Sequence, residues 1–80
     1  MKLHAGSLYM DYLVLYGQKD GLGYRVIQIP DEEIQWDIYC NDVEFEPIDS
    51  DWAKVTYNGT IHKFHYLLST NPMKDLGFSR

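Results

Sequence analysis

WAKVTYNGTIHKFHYLL, residues 52–68, is a pair of apolar-rich runs on either side of Asn58-Gly59. Both turn residues accept the positive φ of a two-residue type I′ turn, which makes Asn-Gly the strongest short hairpin signal in the chain. Strands are therefore expected over Trp52–Tyr57 and Thr60–Leu68, and the fold is expected to be mainly β.

Working upstream, residues 33–40 alternate: Ile34, Trp36, Ile38 and Cys40 against Glu33, Gln35, Asp37 and Tyr39. The period of two predicts a strand. The alternative is a helix near 31–40 capped by Asp31, which would make the chain α+β, but it spreads the apolar residues around the helix circumference. After an Asn41-Asp42 turn, Val43, Phe45 and Pro47 alternate with Glu44, Glu46 and Ile48. A two-residue loop then sets Cys40 opposite Val43, Ile38 opposite Phe45 and Trp36 opposite Pro47, so that the apolar sides of an expected 33–48 hairpin coincide.

Further upstream, Ser7–Tyr16 and Leu22–Ile29 read as two strands joined by Gly17-Gln18-Lys19-Asp20-Gly21, and Pro30 ends the second. At the other end, Asn71-Pro72-Met73-Lys74-Asp75-Leu76-Gly77 has the cap, first-turn proline and stop glycine of one helical turn. The expectation is a single small domain over residues 1–80. About six antiparallel strands form a curled sheet or small barrel with a short C-terminal helical turn.

Eighty residues, 45% hydrophobic and 15% aromatic, supply a core but no second domain. Cys40 is the single cysteine, so no intrachain disulfide forms and a reducing, cytoplasmic setting is expected. Asp11 interrupts the apolar run from Leu8 to Tyr16, and no stretch reaches membrane-spanning length, so no membrane partner is expected.

Charge is segregated along the chain. Nine acids (Asp31, Glu32, Glu33, Asp37, Asp42, Glu44, Glu46, Asp49 and Asp51) lie between 31 and 51 with no Lys or Arg, while the flanks are mildly basic and the net charge is −5. On the expected hairpin, Glu33, Asp37, Glu44 and Glu46 line one face, and like charges directly opposite one another destabilise a sheet. Either the face stays solvated and blocks aggregation, or it meets a positive partner. The second reading makes Glu33, Asp37, Tyr39, Asp42, Glu44, Glu46, Asp49 and Asp51 the partner-binding set, anchored by Tyr39, Trp36 or Trp52.

Chemistry finds little purchase. Residues 41–51 lack the spacing and glycine of a calcium loop, so no metal is expected there. His62 and His65 are an odd number apart and leave a strand on opposite faces. Cys40, set on the apolar side of its strand, reads as packing rather than a nucleophile. The glycines of 17–23 precede a strand and lack the ending of a phosphate loop. An acidic chain also disfavours direct nucleic-acid binding. No catalytic residue and no cofactor is expected, and the chain reads as a non-enzymatic binding module or inhibitor for a basic surface. A nuclease or nucleic-acid-binding complex fits that description, in the manner of a small phage or mobile-element inhibitor that mimics nucleic acid. The competing expectation is a structural or regulatory homodimer through Tyr9, Leu13 and Leu15.

Gly59→Val is expected to destabilise the last hairpin by on the order of 1 kcal/mol or more, because a β-branched residue resists positive φ. Urea denaturation measures it, and an unchanged midpoint contradicts the turn.

Overall fold

The computed structural model describes residues 1–17 and 23–77. Six strands appear among them: β1 (Lys2–Tyr9), β2 (Tyr12–Tyr16), β3 (Tyr24–Gln28), β4 (Val43–Pro47), β5 (Trp52–Tyr57) and β6 (Thr60–Ser69). Helix α1 (Glu32–Tyr39) joins β3 to β4, and α2 (Pro72–Asp75) follows β6. The strands close antiparallel into a barrel in the order β1-β2-β3-β6-β5-β4. Strand β4 closes on β1 through the pairs Lys2 with Glu44 and Leu3 with Val43, extended by the Phe45 N–H, which donates to the Met1 carbonyl at 2.8 Å. Leu3, Leu13, Leu15, Ile27, Val43, Phe45, Val55 and Phe64 belong to the enclosed core.

The mainly β class and the barrel are as the sequence predicts. Asn58 and Gly59 take φ of 49° and 74°, and Tyr57 pairs with Thr60 across the turn. The helical turn at 72–75 also forms, with the Asn71 side chain accepting from the Lys74 N–H and Gly77 at φ 86°. Of the loop expected at 17–21, residues 18–21 lie outside the described residues, as does Leu22.

Two expectations are corrected. The run from Ser7 to Tyr16 is two strands, because Met10-Asp11 makes a turn that pairs Leu8 with Leu13 and Tyr9 with Tyr12. Directly opposed residues share a face, so Leu8, Leu13 and Leu15 look inward and Tyr9 looks outward with Tyr12. Leu13 and Leu15 are completely buried, so Tyr9, Leu13 and Leu15 do not form one dimer face. The apolar run from Leu8 to Tyr16, interrupted at Asp11, thus spans parts of two strands.

The second correction concerns residues 33–40, of which 33–39 lie in α1 and Cys40 caps it. Asp31 Oδ1 accepts the N–H groups of Glu33 and Ile34 at 2.9 and 3.2 Å, satisfying donors that the first helical turn leaves free. Glu32 and Glu33 add negative charge at the positive end of the helix dipole. The 33–48 hairpin is therefore absent, and β4 pairs with β1 and β5 instead. Cys40 is exposed at the helix end, not packed beside Val43.

Gln35 explains why the pattern misled. It is polar but faces inward, where its Nε2 donates to the carbonyls of Ile29 at 2.6 Å and Met10 at 2.9 Å. These bonds tie α1 to the end of β3 and to the β1–β2 turn. Met10 is a non-glycine residue at φ 55°, and the bond to its carbonyl helps to hold that strained conformation.

Gln35→Ala is expected to destabilise the fold by about 2 kcal/mol, since it leaves the buried Ile29 carbonyl without its donor. Thermal and urea unfolding measure the loss; an effect near zero contradicts this role.

Candidate functional surface

The exposed side of α1 follows from its pitch. With Ile34, Gln35 and Ile38 turned toward the barrel, Glu32, Glu33, Trp36, Asp37 and Tyr39 are left facing solvent. Trp36 is 56% exposed, and its ring meets Tyr39 edge to face at 5.5 Å between centroids. Among the described residues no ion pair or hydrogen bond reaches the carboxylates of Glu32, Glu33 or Asp37. The surface is an aromatic pair set among three acids on one rigid element.

The remaining expected site residues are not on that face. Asp42 lies in the connection after α1, with His4 Nδ1 at 3.3 Å. Glu44 and Glu46 project outward from β4, but each stands opposite or beside positive charge. Glu44 pairs in register with Lys2 and accepts from the terminal ammonium of Met1 at 3.1 Å. Glu46 stands opposite Lys54, whose Nζ is 3.7 Å from its Oε1. Asp49 is occupied within its own loop, accepting from the N–H groups of Asp51 and Trp52. The structure thus brings Glu33, Asp37 and Tyr39 together on α1, and separates them from Asp42, Glu44, Glu46, Asp49 and Asp51. No ribbon gathers all eight.

The place of Glu32 in the surface and the outward turn of Trp36, named as an anchor but set on the apolar side of an expected strand, did not follow from the period-two pattern. Both are visible once the segment is given helical pitch, since 32 and 36, and 33 and 37, are one turn apart. Trp52, the other expected anchor, lies on the outer wall of β5, where its ring meets exposed His65 edge to face at 5.4 Å. His62 and His65 do leave β6 on opposite faces. His62 stacks between Tyr57 and Phe64, with interplanar angles of 13° and 15°.

Helix α1 also acts on its neighbourhood electrically. Burial pushes the Tyr57 phenol above its usual value of 10.0, and the negative charges of Asp37 and Asp31 push it the same way. Among the described residues no group of three His, Cys, Asp or Glu side chains is placed to hold a metal ion, and no helix is long and apolar enough to cross a membrane. Comparison with known proteins returns no match to a family model, a curated protein or a solved structure.

The Tyr57 shift has a sign that can be checked. Because the folded state holds its proton more tightly than the unfolded chain, the stabilisation is complete below pH 10 and is lost as pH rises through the raised folded value. Tyr57→Phe is expected to remove that part of the alkaline loss, and Asp37→Asn to bring the phenol back toward 10.0 in an ultraviolet titration. An unmoved titration in Asp37→Asn contradicts the placement of α1 beside Tyr57.

Proposed function

We propose that this chain is a non-enzymatic binding module that presents the outer face of α1 to a basic surface of a partner protein. The supporting observation is the exposed Trp36–Tyr39 pair among Glu32, Glu33 and Asp37. A large aromatic surface left in water lowers solubility, and it is the type of side chain that anchors protein interfaces. Acids around it steer a positive partner and select against a negative one. The helix is tied to the barrel by Gln35 and the inward Ile38, so little conformational freedom remains to be lost on docking.

A partner surface that otherwise engages phosphate has the required charge, so a nuclease or other nucleic-acid-binding protein is the proposed class. Inhibition follows if docking covers the phosphate-binding residues. The acids on β4 and in the following loop extend the negative surround but carry less of the interaction, since Glu44 and Glu46 have positive neighbours of their own.

Capture from lysate on the immobilised protein, eluted by rising salt, tests the proposal when run beside three variants. Trp36→Ala and the double variant Glu33→Lys/Asp37→Lys are expected to lose the captured protein, each by tenfold or more in a purified binding assay, on the order of 1.4 kcal/mol. Glu44→Lys is expected to change it less. Equal capture by all variants contradicts α1 as the docking face.

A further inference from the structure

A second surface, remote in chemistry from α1, lies where β3 parts from β6. The two strands pair from Tyr24 with Ser69 to Gln28 with His65, and there β3 ends. Strand β6 begins five residues earlier, at Thr60, so Thr60–Phe64 have β5 on one edge and no described strand on the other. The chain leaving β3 turns toward the β1–β2 side, with the Ile29 N–H donating to the Asp11 carbonyl at 2.7 Å.

The hairpin register says which backbone groups face the gap. Tyr57 and Thr60 flank a two-residue turn, and the Tyr66 N–H donates to the Asp51 carbonyl, so even-numbered residues of β6 bond to β5. The N–H and C=O groups of Ile61 and Lys63 therefore point toward the open edge. Beside them is a hollow of about 460 Å³ lined by Gln28, Pro30, Trp52, Lys63, Phe64 and His65.

Lys63 is the one charged side chain among the residues that line this hollow. Lys54 and Lys63 stand directly opposite each other on the outer wall, an arrangement that destabilises a sheet. Lys54 has Glu46 at 3.7 Å, whereas Lys63 has no ion pair among the described residues. Exposed Ile61 lies two positions from Lys63 on the same side. Lys63, without an ion pair among the described residues and beside a strand edge that no described strand covers, offers both backbone pairing and an anion contact.

We propose that this gap receives an extended acidic segment of a partner protein, which adds to β6 as a further strand. Main-chain bonds to Ile61 and Lys63 hold the guest. A guest carboxylate opposite Lys63 and an apolar side chain two residues away, opposite Ile61, give it selectivity. Lysine on an edge also discourages random pairing, and this is consistent with a slot that admits only a segment bearing the opposite charge.

The probe is a capped six-residue peptide of β-branched residues with glutamate third and isoleucine fifth, titrated into the ¹⁵N-labelled protein. Amide shifts are expected to concentrate on Ile61, Lys63 and His65, with hydrogen exchange at Ile61 and Lys63 slowed. A peptide carrying lysine in place of glutamate is expected to bind about tenfold more weakly, and Lys63→Glu to reverse that preference. Lys63→Glu should itself fold well, since it places opposite charges across from each other at Lys54. The proposal is overturned by any of four results: no shifts at millimolar peptide, equal binding of the two peptides, the same amides responding to oligothymidylate, or their shifting with protein concentration alone. The last two identify the edge as a nucleic-acid site or a contact between copies of this chain.

Discussion

Between β3 and β4 the chain must cross from one side of the barrel to the strand that closes it, and the carboxylate of Asp31 decides the form of that crossing. By accepting two N–H groups it starts a helix where the side-chain pattern suggests a strand. Helix α1 then delivers Val43 to Leu3, the thin seam on which closure of the barrel depends. Gln35 fixes the helix against β3 and the β1–β2 turn through two backbone carbonyls. The same anchoring leaves the outer face of α1 in solvent.

The two surfaces divide the molecule's charge. On α1 the acids surround aromatic rings, and among the described residues no cation pairs with them. On β4, β5 and β6 the outer wall is mixed, with Glu46 and Lys54 neutralising each other and Lys63 left over. The nine acids that look like one block along the sequence thus separate into a helix face, a partly neutralised strand and a loop whose Asp49 bonds its own backbone. Sequence proximity overstated their convergence because a change from strand to helix redirects every side chain from 32 to 39.

What was legible in the sequence was whatever depends on local chemistry. Asn58-Gly59 and Asn71-Pro72…Gly77 are read from φ preference and capping alone, and both form as expected. What was not legible depended on tertiary partners. Gln35 occupies an inward position that an apolar pattern assigns to the outside, and Trp36 and Cys40 are exposed where the pattern buries them. The Met10-Asp11 turn carries no glycine, proline or asparagine to announce it, and Met10 is held at positive φ with a carbonyl bonded by Gln35, twenty-five residues away. Asp31 was a local signal for the helix, outweighed by an alternation in which Trp36 is exposed and Gln35 buried.

The conformation of residues 32–39 is the most direct test, because the proposed docking face requires them to be helical. Backbone NMR measures it through Cα secondary shifts and amide–amide Overhauser effects. Successive amide contacts from Glu32 to Tyr39, with downfield Cα shifts and a solvent-exposed Trp36 indole, are the predicted result. Upfield Cα shifts over the same residues, with cross-strand contacts between Ile38 and Phe45, would show a hairpin there and contradict it.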